Sequence, residues 1–500
     1  MGAAAVSYTA PMTDRPRPTG GSGGARQRAA RRPNVLLIYT DQLRWDALGC
    51  NGNPDVRTPH LDRLAAEGVT FRRHFVQNPV CMPSRVSFLT GRYPSALGIS
   101  HMGVPVPPQT VTLPRMLKPF GYATAMLGKL HFLPHANRDH REVHPDYGFD
   151  VLEESDEPGP YEDAYRAWVR RVAPEHLDAI SPGLPPMAEV WNRALGRVDP
   201  VAHPAERFPK RALPFRAPSH LTHAAFVAER SMDFIAAHPE QSWLCVASFY
   251  SPHSPWVAPQ EFLDLYDPAT LRLPAFPPPA DAARAGTDFD DAGLRAARHG
   301  YYAMISEVDH HVGRLLALLE ASGQARDTVV VFTSDHGEWL GEHLRHGKGY
   351  PASDQVSRVP LLLRWPAGGP ADAPGRPVDA LVEAVDVLPT LLACAGVPVP
   401  PTVQGRSLLP LLRGERGGAR DSALTEARGW KALRTERYRY VCRVTAGGPE
   451  EHLWDLERDP GEYRDVAADP GYAAALGEHR RLLLARAIAN EQPLERAWPY

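Results

Sequence analysis

The sequence predicts an α/β fold: a large, mostly parallel central sheet with helices on both faces, then a smaller C-terminal α+β domain with an antiparallel sheet. Three observations carry that prediction. Between residues 34 and 395, short apolar runs alternate with helical stretches. Four of the runs discharge into polar groups: Asp41-Gln42, Lys129 and His131, His253, and Asp335-His336. After residue 414 the rhythm shifts to short antiparallel-type runs at 430–434, 438–442 and 452–456, with a final helix over 472–490. The expected organisation is a disordered leader over residues 1–32, a catalytic α/β domain over 33–413 and a C-terminal α+β domain over 414–500.

Each element has its own warrant. Residues 1–32 are rich in Gly, Ala, Arg, Pro and Thr and hold no apolar run fit for a signal-peptide core. Arg31-Arg32 resembles half of a twin-arginine signal, but Asn34-Val35-Leu36-Leu37-Ile38 leads straight into the first core strand. Thr58 reads as an N-cap and Pro59 as the first helical position, with Leu61, Leu64 and Ala65 on one face and Gly68 as terminator. In Asn78 to Arg92, Cys81 stands at the entrance of a short helix. Pro83 fits its first turn, and Gly91 takes the left-handed position that ends it. Residues 113–120 read as helix and 122–127 as strand, while 134–218 lose the pattern and read as a long insertion with short helices. A helix over 223–237 precedes a strand over 243–250, and 259–298 is a second loop-rich excursion. Residues 301–320 form an amphipathic helix with Met304, Ile305, Val308, Val312, Leu315, Leu316 and Leu319 on its buried stripe. Strands at 328–332 and 359–364 and a helix at 385–395 complete the larger domain.

Composition narrows the function classes. The chain has 500 residues, 43% hydrophobic and 23% charged, with a formal net charge of -3. That balance favours neither nucleic acid nor an anionic membrane as a partner. Five cysteines, widely spaced and without a CxxC pair, argue against a disulfide framework or a zinc cluster. No stretch is long enough to span a bilayer. The expected location is the cytoplasm.

In a parallel sheet, ligands bind beyond the carboxyl ends of the strands, so four polar strand ends define one site. Asp41, Gln42, Asp335 and His336 make a cation cage of oxygen ligands plus one imidazole. Carboxylate and amide oxygens suit Ca²⁺ or Mg²⁺, and the imidazole tilts the choice towards Mn²⁺. Such an ion polarises an oxyanion substrate and helps ionise an oxygen nucleophile. Arg85, Lys129, Lys348 and His253 can neutralise a bound anion, and His131 can orient it or exchange a proton. A helix N-terminus at Cys81 adds partial positive charge. His223, His310 and His311 lie at no strand end and read as ordinary packed histidines.

These residues resemble a known family. Cys81-Met82-Pro83-Ser84-Arg85, continuing to Tyr93-Pro94, matches the Cys-x-Pro-x-Arg signature of type I sulfatases of the alkaline phosphatase superfamily. Asp41-Gln42 stands at the family's first metal motif, Gly128-Lys129-Leu130-His131 at its Gly-Lys-x-His element, and Ser334-Asp335-His336-Gly337-Glu338 at its second metal motif. Gly347-Lys348 matches the substrate lysine, and His452 to Pro460 resembles the C-terminal Leu-Tyr-Asp-Leu-x-x-Asp-Pro. The resemblance implies hydrolysis of a small-molecule or saccharide sulfate ester. It implies that a formylglycine-generating enzyme converts Cys81 to formylglycine. The hydrated aldehyde, a metal-bound geminal diol, would attack sulfur, and its second hydroxyl would expel sulfate. By the same resemblance Asp41, Gln42, residue 81, Asp335 and His336 hold one divalent ion, calcium before manganese or magnesium. Arg85 and Lys129 would steady the nucleophile, His131 would assist hemiacetal breakdown, and His253 and Lys348 would contact sulfate and the leaving group.

Two positions depart from the commonest pattern. Gln42 stands where many sulfatases have Asp, and His336 where many have Asn. Both substitutions resemble phosphonate monoester and phosphodiester hydrolases of the same superfamily, which lack the Gly-Lys-x-His element intact here. The expectation is therefore sulfate ester hydrolysis first, phosphonate or phosphodiester hydrolysis second, and a non-catalytic anion-binding relative third.

Overall fold

The computed structural model describes residues 31–134, 143–159, 161–181, 209–366, 369, 375–415 and 419–491. Almost all of the expected leader, residues 1–30, lies outside these, as does much of the 134–218 insertion.

The large sheet is built from β1 (Asn34–Thr40), β2 (Val69–Phe75), β3 (Ala123–Gly128), β4 (Val151–Glu154), β6 (Trp243–Ser248), β8 (Thr328–Ser334), β9 (Leu361–Arg364) and β10 (Arg376–Glu383). Between them, β5 (Leu213–Pro214) and β7 (Val257–Ala258) form a separate two-residue pair. The order is β10-β2-β9-β8-β1-β6-β3-β4. Every pairing is parallel except those of β9, which runs against β2 and β8. The expected mostly parallel sheet is therefore present.

Alternation along the central strands shows why both faces are covered. Leu36 and Ile38 of β1 pack into one apolar cluster with Val308, Val312, Leu315 and Leu316 of the Asp291–Ala321 helix. Val35, Leu37 and Tyr39 pack into another, with Val86, Phe88 and Leu89 of the Cys81–Thr90 helix and Leu388 and Leu391 of the Val387–Cys394 helix. Successive strand residues point to opposite faces, so a strand buried on both reads as a continuous apolar run.

Several boundaries differ from expectation. The long helix starts at Asp291, within the expected loop, with the Asp290 side chain accepting from Gly293 N. Thr58 does not cap through its side chain. Its hydroxyl accepts from Gly49 N and donates to Asp62 Oδ1. The N-terminus it was expected to cap is held instead by Asp309 of the long helix, which accepts from Leu61 N at 2.8 Å and His60 N at 3.2 Å.

The C-terminal sheet joins β11 (Ala423–Ala427), β12 (Trp430–Arg434), β13 (Tyr438–Thr445) and β14 (Gly448–Asp455) in sequence order, all antiparallel. The Ala473–Ala489 helix follows it. All five cysteines are free. Among the described residues, no helix is long and apolar enough to cross a membrane.

Candidate active site

Register places the polar strand ends at one level. Thr40 of β1 pairs with Ser334 of β8, and Gly128 of β3 pairs with Ser248 of β6. Asp41, Asp335 and Lys129 are the next residues along, so all three leave the sheet side by side. Gly128 has φ 98, and a Cβ there would lie 2.0 Å from Ser248 O, so only glycine makes this exit. Gln42 holds φ 69 and its N–H donates to Asp335 Oδ1 at 3.0 Å.

Cys81 is the first residue of a helix whose residues are all buried and whose N-terminus no side chain caps. As expected, Pro83 falls in its first turn and Gly91 ends it at φ 66, with its N–H on Ser87 O. The Sγ of Cys81 lies 3.2 Å from His336 Nε2, 3.7 Å from Asp41 Oδ1 and 2.6 Å from Lys348 Nζ. One potential ligand atom from each of Asp41, Cys81, Asp335 and His336 falls within 4.8 Å of the others.

The cations are locked to the carboxylates. Arg85 Nε meets Asp335 Oδ2 at 2.8 Å, and its Nη2 lies 3.5 Å from Asp41 Oδ2. Lys129 Nζ meets the same Asp41 oxygen at 2.7 Å. Arg85 Nη1 also donates to Lys129 O and Ser248 Oγ. Burial alone would raise the Asp41 carboxyl, but Lys129, Lys348 and Arg85 hold it well below its ordinary value. Burial pulls Lys129 and Lys348 down, and the Asp41 carboxylate works against it at both, so both ammonium groups stay charged. Burial, aided by Asp41, pushes the Cys81 thiol up.

Two histidines present lone pairs to the centre. Nδ1 of His336 lies 2.8 Å from Gly337 O, and Nδ1 of His253 lies 2.6 Å from Ser254 O. A carbonyl only accepts, so Nδ1 carries the proton in each, leaving Nε2 free. Lys348 Nζ lies 3.2 Å from both Nε2 atoms. Burial and Lys348 lower His253 well below its ordinary value, so it is neutral.

Gln42 is the remaining oxygen donor. Its Nε2 donates to Glu338 Oε2, while its Oε1 is buried without a partner. Carboxylates, a free amide oxygen and an imidazole lone pair make a donor set that fits a hard divalent ion.

The structure thus brings Asp41, Gln42, Cys81, Arg85, Lys129, His253, Asp335, His336 and Lys348 together. His131 is buried with φ 55, and its main-chain N–H donates to Asp156 Oδ1 at 2.7 Å. The partners of Cys81 Sγ are Lys348, His336 and Asp41. Sequence reasoning missed Ser248, whose hydroxyl bridges Arg85 and Lys129, and Tyr250, whose ring packs tilted against His253 and lies 5.1 Å under Lys129 Nζ. Ser248 ends a strand beside three recognised strand ends, the one signal that marks it.

Known proteins share this arrangement of chain. The family described as Sulfatase matches residues 33–397, and the family described as N-sulphoglucosamine sulphohydrolase, C-terminal, matches 341–487. The arylsulfatase of Clostridium perfringens (strain 13 / Type A) is 28% identical over 483 residues, covering 92% of this chain and 95% of its own. The steryl-sulfatase of Mus musculus is 32% identical over 548 residues, covering 91% and 81%. The solved phosphonate monoester hydrolase of Agrobacterium radiobacter superposes with a TM-score of 0.74 at 29% identity, covering 92% and 96%.

Proposed function

The chain belongs to the sulfatase family of hydrolases within the alkaline phosphatase superfamily, and on that footing we propose that it cleaves sulfate esters through a nucleophile made from Cys81. The observation that carries this reading is Cys81 at a helix entrance, ringed by Asp41, Asp335, His336 and the Lys348 ammonium. The substrate is a sulfate ester of a small molecule or a saccharide.

Asp41, Gln42, residue 81, Asp335 and His336 would hold one divalent ion, calcium first, and that ion supplies positive charge to polarise a sulfate oxygen. Formylglycine at residue 81, installed by a formylglycine-generating enzyme and hydrated, supplies two hydroxyls, one to displace the alcohol at sulfur and one to release sulfate.

The chain's own residues do the rest. Lys348 and His253 face the place where a sulfate group must sit, and the charged ammonium offers it N–H donors. Lys348 can give the departing oxygen a proton and regain one from water afterwards, while neutral His253 holds the lysine through its unprotonated Nε2. Arg85 and Lys129 balance the carboxylates, so the site is not so negative that it repels an anion. Asp41 keeps both lysines protonated. His131 takes the proton whose loss accompanies sulfate release.

Gln42 and His336, together with the likeness to a phosphonate monoester hydrolase, make phosphonate monoester or phosphodiester hydrolysis the second reading. Parallel turnover of nitrophenyl sulfate and a nitrophenyl phosphonate monoester separates the two. Sulfate turnover is expected to lead in kcat/KM. Phosphonate turnover faster by orders of magnitude would overturn the first reading.

A further inference from the structure

Glu338, two residues after His336, is 1% exposed and hydrogen-bonded through both of its oxygens. Its Oε1 accepts from Leu340 N at 3.0 Å and from Gly347 N, and its Oε2 accepts from Gln42 Nε2. Three N–H donors thus converge on one carboxyl group.

An amide side chain has two chemically opposite ends, and only its oxygen can bind a cation. Nothing in a glutamine itself decides which end faces a metal site. Here the decision lies with Glu338. Two backbone N–H groups already sit on Glu338 Oε1, and its Oε2 takes the NH₂ end of Gln42 and turns the amide Oε1 away, and that oxygen is the buried atom left without a partner. Gly347 N sits on the other carboxylate oxygen, immediately before Lys348, whose ammonium touches Cys81.

We propose that Glu338 is a positioning residue that makes Gln42 an oxygen ligand and, through Gly347, fixes that ligand relative to Lys348. This rests on the metal reading given above. It also explains the amide at position 42. A carboxylate there would meet Glu338 at hydrogen-bonding distance in a buried site, where like charges repel strongly. Gln42 and Glu338 are a matched pair, and exchanging both should preserve what changing either destroys.

The test is calorimetric titration of metal-free protein with calcium for wild type, Glu338→Gln, Gln42→Glu and the double exchange, with thermal unfolding recorded for each. In Glu338→Gln, two backbone N–H donors hold the new amide oxygen, so its NH₂ faces Gln42 and turns that side chain's nitrogen towards the ion. Calcium affinity is expected to fall about 10–100-fold, the usual scale for a partner that orients a ligand. Gln42→Glu should also bind more weakly, through repulsion. The double exchange restores every donor–acceptor pairing, and its affinity should return to within about threefold of wild type or exceed it. Such reciprocal rescue would not arise from a merely structural role. Should a single variant fail to fold, recovery in the double exchange carries the comparison. Wild-type affinity in Glu338→Gln, or a double exchange no better than the weaker single, would overturn the proposal. A wild-type protein that takes up no divalent ion would remove the metal reading and this inference with it.

Discussion

At residue 81 a thiol occupies a position built for something that accepts better. Lys348 Nζ donates to Sγ at 2.6 Å, yet sulfur is a weak acceptor. Burial and Asp41 keep the thiol from ionising, so an unmodified Cys81 is a poor nucleophile as well. Both facts support the proposed working group, which has oxygen atoms. Replacing Cys81 with Ala should lower kcat/KM by at least about 10⁴-fold, the scale of losing a nucleophile. The unfolding midpoint should stay close to that of wild type. Sulfatase assay and thermal unfolding on one preparation check both, and wild-type turnover in the variant would refute the assigned nucleophile. At this scale the sequence is informative for residues that directly follow a strand. Asp41, Lys129 and Asp335 each directly follow a strand, so their placement depends only on local chain and sheet register. Ser248 was marked only by its place at a strand end and the role of Glu338 not at all, because their partners lie 119 and 296 residues away.

The element that deserves an experiment is the loop carrying Lys348, because both of its ends are pinned by the turn after β14. His343 stacks on Tyr463 with ring centroids 4.2 Å apart and planes at 9°, and its Nε2 meets Gly461 O at 2.9 Å. Asp354 N donates to Glu462 Oε1, which also accepts from Arg439 Nε at 2.8 Å. The C-terminal sheet thereby holds a loop whose lysine reaches the centre. Tyr463→Ala should loosen it and raise KM for a sulfate ester about tenfold, consistent with losing about 1.4 kcal/mol of positioning. Steady-state kinetics checks this, and an unchanged KM would show that the stack does not position Lys348. None of this clamp was legible, since Gly461 to Tyr463 carry no pattern of their own. The same limit hid β2 and β10. Val69–Phe75 contains Arg72, Arg73 and His74 and lacks the apolar run that marked β1. It becomes a strand through its pairing with β10, a segment about 300 residues further on.

For the whole molecule, the long helix that covers one face of the sheet imports a titration into the core. Glu307 is 2% exposed, and burial raises its carboxyl from 4.5 to about 8. A raised folded value means that the unfolded chain ionises first. The stability tied to the neutral form is complete below pH 4.5 and is lost as pH rises towards about 8. Glu307→Gln keeps the shape and removes the ionisation. In urea unfolding at pH 6 and pH 8, the wild type should lose about 2 kcal/mol more across that interval than the variant. Parallel pH profiles would contradict the assignment. The global architecture was the most legible level of all, because alternating strands and helices with polar strand ends permit few arrangements. What the amino-acid sequence cannot spell is the oxidation state of residue 81, and the central claim rests there. The direct measurement is the mass of the proteolytic peptide carrying residue 81, taken from protein expressed with a formylglycine-generating enzyme. A peptide with the mass of formylglycine or its hydrate at that position is expected. A peptide carrying only the intact thiol, in a preparation that hydrolyses sulfate esters, would contradict that claim.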